Sequence, residues 1–341
     1  MTITTEEQLE ERLSRPTPGS IRAMQRLTGD LLILGIGGKM GPSLAKLARR
    51  SADAAGRRDL RITGVARFSS PGLQQELEAA GVETIAADLL DADARSKLPQ
   101  APCVLFMLGY KFSHQSLPGM HWAMNVFVPG LLAEQYRESR IVCFSSGNVY
   151  PFTPIDQPAP KEDTPCSPIG EYAMTAWGRE RMVEFMSARH GTPACLLRLN
   201  YAVEARYGVL VDLAQQILAG TPVDLGVPRV NFVWQGYANA VALEAFSLVK
   251  SPAEILNLTG PGSHSVRELA EGLGRRLGVQ PKFAGKEGTA ALLNDSSRCH
   301  ELFGLPELDT EQLMDLVAAW LTSGGRTLGK PTKFQVRDGK F

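Results

Sequence analysis

The sequence predicts an α/β fold: a doubly wound parallel sheet followed by a smaller C-terminal α/β portion. Short apolar runs alternate with amphipathic helical segments along the chain. The central runs are apolar throughout, which is typical of strands covered on both faces. A chain of 341 residues, 44% of them hydrophobic, is long enough for one large domain and a smaller one.

Composition argues against several kinds of partner. Lys and Arg together number 36, as do Asp and Glu, so the formal net charge is zero and favours neither nucleic acid nor a membrane surface. The five cysteines form no C-x-x-C pair, which indicates free thiols in a reducing compartment, without a disulfide framework or a metal site. The charged N-terminus lacks an apolar signal core and no apolar run reaches spanning length, so we predict a cytoplasmic protein.

Residues 1–28 are predicted to form a helical extension before the first strand. Thr4 or Thr5 can cap a short helix over residues 4–15, and glutamates suit its first turns. Pro16 and Pro18 are expected to end this helix.

Residues 30–50 have the pattern of a strand, a tight glycine turn and a helix. The apolar run 31–34 stops at Gly35, and apolar residues recur at helical spacing after Gly41. Glycines without a Cβ let the backbone approach a pyrophosphate, and the N–H groups at the helix start supply donors and a positive dipole end. An ordinary glycine-rich turn is the alternative, but the flanking strand and helix favour a dinucleotide site. We expect the cofactor contacts of this turn to come from Gly35, Gly37, Gly38, Lys39, Met40 and Gly41.

The second strand, predicted over residues 60–70, ends without a carboxylate. In a dinucleotide-binding fold this strand end meets the adenosine ribose, where a carboxylate would bind the ribose hydroxyls and favour NAD. Arg67 stands there instead and could bind a 2′-phosphate through a charge-assisted hydrogen bond. A solvated arginine at a strand end is the alternative. The missing acid makes NADP the favoured cofactor, with NAD possible.

The remaining elements continue the alternation. Strands are predicted over 82–91, 102–109, 140–151 and 194–203, with helices over 72–81, 121–138 and 171–189. Strands separated by helices of this length form a parallel sheet through right-handed crossovers. Later segments are a helix and turn over 209–226, a strand and helix over 257–278 with Ser263 or Ser265 as the cap, and a last helix over 309–323.

These elements divide the chain into four parts. After the extension comes a dinucleotide-binding domain over 29–203, to which 228–260 returns, and then a substrate-binding portion over 204–227 and 261–328. The last part is a basic, partly apolar tail over 329–341. Such tails are usually disordered, and the alternative is a tail that folds over a site.

Several motifs follow one another in a definite order. They are Gly35-x-x-Gly38-x-x-Gly41, Asp88-Leu89, Leu108-Gly109, Asn125-Val126 and Ser145-Ser146-Gly147-Asn148-Val149-Tyr150. Together they resemble the extended short-chain dehydrogenase/reductase family, the NAD-dependent epimerase/dehydratase group, over roughly residues 30–320. The resemblance implies a Rossmann-type fold with Asp88 and Leu89 near adenine, and Leu108 and Gly109 beside the nicotinamide ribose. It also implies a catalytic Ser146 and a homodimer that pairs helices 121–138 and 171–189.

Members of that family carry Tyr-x-x-x-Lys on a helix. The tyrosine is the general acid/base, while the lysine supplies a positive charge beside it and holds the nicotinamide ribose. The resemblance makes Tyr172 that tyrosine, both catalytic and cofactor-binding, but Ala176 stands where the lysine should be. Two cations could replace the lysine: Arg179, farther along the same helical face, and Lys111, after the fourth strand. The alternative for each is an ordinary solvated charge.

The resemblance further implies a sugar-like small-molecule substrate, with Lys111, Asn200 and Arg229 as candidate binding residues. The Asp-Glu pair that 4,6-dehydratases of the family place after the serine is Gly147-Asn148 here, which argues against dehydration. What remains is hydride transfer at a secondary alcohol or ketone, as a reduction or within an epimerisation. The lost lysine keeps a second hypothesis open, a non-catalytic dinucleotide-binding sensor or scaffold.

Overall fold

The structure, a computed structural model, describes residues 3–111, 117 and 119–339. Seven of its strands form one sheet: β1 (Leu31–Leu34), β2 (Ile62–Ala66), β3 (Glu83–Ala86), β4 (Cys103–Phe106), β5 (Arg140–Ser146), β6 (Ala194–Leu199) and β7 (Glu254–Leu258). Their order is β7-β6-β5-β4-β1-β2-β3, and every pairing is parallel. The chain leaves β1 toward β2 on one side and resumes with β4 on the other, so a crevice opens between the carboxyl ends of β1 and β4. The predicted doubly wound, Rossmann-type sheet is confirmed.

Helices cover both faces of this sheet. They are α1 (Glu6–Leu13), α2 (Pro18–Arg26), α3 (Gly41–Ala54), α4 (Leu73–Ala79), α5 (Ala92–Ser96), α6 (Met120–Trp122), α7 (Val128–Gln135), α8 (Glu171–His190), α9 (Val209–Leu218), α10 (Gln235–Glu244), α11 (Val266–Leu277), α12 (Ser297–Phe303) and α13 (Thr310–Thr322). Two-residue strands pair outside the sheet: Thr153–Pro154 with Ala290–Ala291, Ala202–Val203 with Val233–Trp234, Val223–Asp224 with Phe283–Ala284, and Arg229–Val230 with His264–Ser265.

Each face of the sheet has its own hydrophobic core. Leu31 and Ile33 of β1 belong to a core that includes residues of α3, α9 and α10. Leu32 and Leu34 belong to the other core, with residues of α7 and α8. Successive side chains of a strand point to opposite faces, so a strand covered on both faces must be apolar at every position. This is why β1 has no polar residue.

Several helices differ from the sequence predictions. Pro18 begins α2 rather than ending a helix, with Thr17 as its cap. Proline suits the first helical position because its missing N–H would have no intrahelical partner there. The helix predicted over 121–138 is interrupted by a π-helical turn at Ala123–Phe127. Helices α5, α10 and α12 were not predicted. Of the two candidate caps for α11, Ser265 accepts from the N–H of Glu268.

Helix α1 connects distant parts of the chain. The Glu10 carboxylate accepts from Lys46 of α3 at 3.3 Å and from Arg206, beyond β6, at 2.7 Å. Glu6 accepts from Arg326, which follows the last helix, at 2.7 Å. The N-terminal extension therefore contacts both helix α3 and the C-terminal portion.

The described part of the tail is folded against the rest of the molecule. The side chains of Thr332 and Phe334 are buried. Thr332 donates through its N–H and its Oγ1 to Asp212 of α9, at 2.8 and 2.5 Å. Of the two alternatives for the tail, the structure has the folded one.

Two further observations bear on partners. Within residues 3–111, 117 and 119–339, no helix is long and apolar enough to cross a membrane. In the same ranges no three His, Cys, Asp or Glu side chains are grouped so that they could hold a metal ion.

Candidate cofactor and substrate site

A crevice follows the carboxyl edge of the sheet and has two halves. The half beside β2 is lined by Gly35, Gly37, Gly38, Arg67, Asp88 and Leu89, among others. The half beside β5 is lined by Lys39, Met40, Gly41, Lys111, Ser146 and Tyr172, among others. Leu108 and Gly109 line both halves. The structure thus brings every residue predicted to bind cofactor, and both predicted catalytic residues, into one crevice.

The glycine turn requires glycine at two positions for different reasons. Gly35 has φ +90°, the left-handed region that other residues rarely adopt. A Cβ at Gly41 would lie 2.1 Å from the carbonyl oxygen of Ile36, a backbone clash. Helix α3 begins at Gly41, and no side chain caps its start. The first N–H groups of α3 therefore suit an anionic group in the crevice, such as the diphosphate of a dinucleotide.

The half beside β2 carries groups that suit a phosphorylated ribose. Arg67 is exposed at the end of β2, and Ser69 and Ser70 line the same half. Asp88 holds the turn after β3, since its Oδ1 accepts from the N–H of Leu90 at 3.0 Å. A guanidinium and two hydroxyls are donors for phosphate oxygens.

Ser146 ends β5 and is fixed by a residue just after it. Its Oγ donates to Oδ1 of Asn148 and accepts from the backbone N–H of Asn148, both at 3.2 Å. Both residues are buried, and Nδ2 of Asn148 has no hydrogen-bond partner. Asn148 therefore orients the serine hydroxyl.

Lys111 lies against Tyr172, in the first turn of α8. Its ammonium is 5.3 Å from the centre of the tyrosine ring, within the range of cation–π interactions. Nζ of Lys111 also donates to the carbonyl of Thr332 at 3.2 Å. Burial lowers the pKa of Lys111 to about 8, while the nearby Asp212 carboxylate opposes the shift. Of the two cations considered as replacements for the lysine, Lys111 is the one in contact with the tyrosine ring.

Arg179, the other candidate, supports the walls of the crevice. Its guanidinium donates to the carbonyl of Phe144 at 2.7 Å and to the backbone and side-chain oxygens of Asn125 at 3.3 and 3.0 Å. Asn125 lies in the π-helical turn and also bonds the backbone N–H and carbonyl of Tyr110, at 2.8 and 2.9 Å. Arg179 and Asn125 together join α8, the end of β5 and the chain after β4.

Ala176 faces protein rather than open space. It is 1% exposed and packs in a small core with Val149 and Tyr150. The Tyr150 hydroxyl donates to Oδ1 of Asn257 at 2.8 Å and accepts from Nη1 of Arg198 at 2.7 Å. The chain's own aromatic side chain therefore fills the room beside Ala176.

Lys39 reaches from the glycine turn into the half beside β5. Its Nζ donates to the carbonyl of Ala202 at 2.7 Å and lies 4.1 Å above the ring of Tyr207. Burial lowers the pKa of Lys39 to about 7, with Glu204 opposing. Burial also raises the pKa of the Tyr207 hydroxyl well above its ordinary value.

Asn200 and Arg229 do not line the crevice. Asn200 is 1% exposed, donates to Oδ1 of Asn231 and packs against Gly147. Arg229 donates to Oγ of Ser263 at 2.8 Å and to the Ser263 carbonyl. Both side chains are bound to neighbours away from the site where the sequence placed them, and a substrate role for either would need those bonds to break.

Several residues of the crevice were not predicted as site residues, among them Asn148, Tyr201, Tyr207 and Lys330. Tyr201 lies two residues after the end of β6, so the rule that sites gather at the carboxyl ends of parallel strands could have identified it. No local pattern marks Lys330, which reaches the crevice only because the tail folds back.

These features define a class: a dinucleotide-binding α/β protein with a serine and a tyrosine at one end of its crevice. The comparisons with known proteins are more specific. Residues 31–226, more than half of the chain, match the model of the NAD dependent epimerase/dehydratase family, and the chain belongs to this family. No curated protein matches the sequence.

Solved structures share the fold at low sequence identity. A mutant UDP-glucuronic acid 4-epimerase from Bacillus cereus, in complex with UDP-4-deoxy-4-fluoro-glucuronic acid and NAD, superposes with a TM-score of 0.72 at 16% identity, covering 86% of this chain and 99% of its own. UDP-glucose 4-epimerase from Thermotoga maritima, with UDP-glucose, superposes with a TM-score of 0.68 at 17% identity, covering 86% of this chain and 99% of its own. dTDP-glucose 4,6-dehydratase from Bacillus anthracis, in complex with NAD, superposes with a TM-score of 0.70 at 12% identity, covering 86% of this chain and 97% of its own.

Proposed function

We propose that this protein is a nicotinamide-dependent oxidoreductase or epimerase that acts on a secondary alcohol or ketone of a sugar-like substrate. The observation that carries the proposal is that Ser146 and Tyr172 line the same crevice as the glycine turn. A protein that only binds a dinucleotide needs neither hydroxyl. The 4-epimerases and the dehydratase of the same fold were solved in complex with UDP-sugars or NAD, which supports a nicotinamide cofactor and a sugar-like substrate.

In this proposal the chain's own residues bind and polarise the reacting oxygen. When bound, the nicotinamide supplies the hydride acceptor or donor. When substrate binds, the Ser146 hydroxyl exchanges its hydrogen bond to Oδ1 of Asn148 for one to the carbonyl or alcohol oxygen, while the backbone N–H of Asn148 still donates to its Oγ. The new hydrogen bond stabilises the negative charge that develops on the substrate oxygen. Tyr172 exchanges the proton with the same oxygen. The Lys111 ammonium beside its ring favours the ionised tyrosine, as the family's lysine would.

NADP is the cofactor we favour. Arg67 is exposed in the half beside β2, with Ser69 and Ser70 near it. The Bacillus cereus epimerase and the Bacillus anthracis dehydratase bind NAD, which stays the alternative. The glycine turn and the uncapped start of α3 would hold the diphosphate of either cofactor.

A non-catalytic sensor or scaffold is the second candidate. The observation in its favour is Ala176, whose surroundings are filled by Val149 and Tyr150 and leave no lysine in the usual place. A sensor would bind the dinucleotide but leave Ser146 and Tyr172 without a substrate. The cytoplasmic location also stays a prediction from the free cysteines.

Turnover by the cofactor-loaded protein separates the two candidates. We expect Tyr172→Phe and Ser146→Ala each to lower kcat about 10²-fold or more, the usual size of an acid/base or oxyanion contribution. Cofactor affinity should be unchanged in Ser146→Ala. The assay follows nicotinamide absorbance and substrate configuration over free sugars, sugar acids and UDP-sugars. Tyr136→Phe, which removes a buried hydroxyl bonded to the Pro99 carbonyl, is the matched control. Unchanged turnover in Tyr172→Phe, or none in any protein, would favour the sensor.

A further inference from the structure

The folded tail passes directly over the half of the crevice beside β5. We call residues 328–339 the C-terminal strap. It starts where the N–H of Leu328 donates to the carbonyl of Arg206 at 3.0 Å. Lys330, two residues later, lines the crevice together with Ser146 and Tyr172.

Thr332 anchors the middle of the strap to the site. It is 1% exposed and donates twice to the Asp212 carboxylate of α9. Its carbonyl accepts from Nζ of Lys111, the cation that lies against the Tyr172 ring. The strap therefore contacts a residue of the proposed active site as well as the C-terminal portion.

The second half of the strap continues from the C-terminal portion to the start of α8. Phe334 is 4% exposed and belongs to the main hydrophobic core. Gln335 donates to the carbonyl of Asp224 at 3.2 Å. The backbone of Gly339 is packed so closely on Gly170 that a Cβ on Gly170 would lie 2.4 Å from its carbonyl oxygen. Gly170 is two residues before Tyr172.

The strap thus bridges the gap between α9 and the start of α8. A substrate whose reacting carbon lies between Ser146 and Tyr172 would extend away from the cofactor through this gap if it carried a long substituent. Buried Phe334 and the paired Thr332 make this wall costly to move. The superpositions on UDP-sugar epimerases cover 86% of this chain and 99% of theirs, so part of this chain has no counterpart there.

We propose that the C-terminal strap is the outer wall of the substrate site, and that the substrate is a small hydroxylated molecule without a nucleotide. This rests on the proposed function and narrows its substrate class. Lys330 lines this half of the crevice together with Lys39 and Lys111, and Tyr201 and Tyr207 line it as well. Free sugars, polyols and their acids match such a lining, because they offer many hydroxyl acceptors and, in the acids, one negative charge.

The test measures access of a nucleotide to the site. UDP and UDP-glucose are titrated calorimetrically into the full chain, with and without NADH or NADPH. The same titrations use a chain ending at residue 328 and the variant Thr332→Val/Phe334→Ala. Thr332→Val alone removes one hydroxyl, and it is the test variant if the larger changes prevent folding. Thr327→Val, which removes a hydroxyl bonded to Gln215 just before the strap, is the matched control.

We expect no binding of UDP or UDP-glucose to the full chain or to Thr327→Val, and at least a tenfold gain in affinity when the strap is released. Tight binding of UDP-glucose by the full chain would overturn the proposal. If UDP and UDP-glucose bind neither the full chain nor the variants that release the strap, the proposal is also overturned, because the strap would then exclude nothing. Failure of NADH and NADPH to bind in the same titrations would count against the proposed function instead.

Discussion

At the scale of single residues, Arg67 decides which cofactor we favour. It is an exposed cation at the end of β2, in the half of the crevice that also contains Ser69 and Ser70. We expect Arg67→Ala to lower NADPH affinity about tenfold and to leave NADH affinity unchanged, since one charge-assisted hydrogen bond contributes about 1.5 kcal/mol. Fluorescence titration of both cofactors measures this. Arg58→Ala, at an exposed arginine that does not line the crevice, is the control. Equal affinities of the parent protein for the two cofactors would contradict the assignment.

Lys111 predicts a pH dependence of activity. Because its pKa is lowered to about 8, the positive charge beside Tyr172 is present below pH 8 and is lost above it. Activity that depends on this charge should fall as the pH rises through 8. Lys111→Met should be slow at every pH without that fall, and Lys111→Arg should keep its charge and shift the fall upward.

Stability should change in the opposite direction over the same range. The folded pKa of Lys111 lies below its ordinary value, so between the two values the unfolded chain binds more protons, and this group's contribution to stability rises with pH. Urea midpoints measured beside the rates therefore distinguish lost charge from unfolding. A parent profile that is flat through pH 8 would remove Lys111 from the mechanism.

At the scale of elements, one buried ion pair joins the helix of Tyr172 to the sheet. Arg198 of β6 and Glu180 of α8 lie 2.8 Å apart, 4% and 1% exposed, and Glu180 also accepts from Ser145. Arg198→Met leaves a buried carboxylate unpaired, so we expect a loss of about 3 kcal/mol in the free energy of unfolding.

Urea denaturation measures this loss, and a second substitution provides the control. Glu180→Leu in the same chain removes the unpaired charge, so the double variant should recover much of the stability. If Arg198→Met alone unfolds at the parent's midpoint, the pair does not hold α8 in place.

The helices and strands also show which parts of the fold can be predicted from a single sequence. The strand β1 was predictable because an apolar run ends at a glycine, and the turn after it because only glycine fits φ +90° at Gly35 and the close contact at Gly41. Helix α2 is not predictable from Pro18 alone, because proline suits a helix start as well as marking a helix end. No local pattern marks the π-helical turn, and Asn125 within it bonds to Tyr110 and Thr175, which are distant in sequence.

In the site, too, features set by local sequence were predictable and features set by long-range contacts were not. Ser146 and Tyr172 belong to local motifs and could be placed from the sequence, and both line the crevice. Asn200 and Arg229 also matched motifs, but their side chains found partners in Asn231 and Ser263 that spacing along the chain does not reveal. Lys330 reaches the crevice through long-range packing alone.

At the scale of the whole molecule, an apolar face across two helical segments predicts a homodimer. Trp122 and Phe127 of the segment α6–α7 are exposed, as are Met174 and Phe185 of α8. These helical segments pack against each other, and exposed apolar side chains grouped on a folded protein are typical of an interface. We expect a dimer by light scattering, and a monomer after Phe127→Glu/Phe185→Glu. Leu305→Glu, at an exposed leucine elsewhere, should leave the dimer intact. A monomeric parent protein would disprove the pairing.

Helix α1 links the dinucleotide-binding domain to the C-terminal portion. Glu10 is bound at once to Lys46, on the helix that follows the glycine turn, and to Arg206, at the edge of the C-terminal portion. If the crevice opens, these two ion pairs either stay formed or break. The side chains of Glu10, Lys46 and Arg206 are only 10 to 25% exposed, so salt screens these ion pairs weakly. The N-terminal helix is therefore expected to keep the two parts of the chain joined over a wide range of ionic strength.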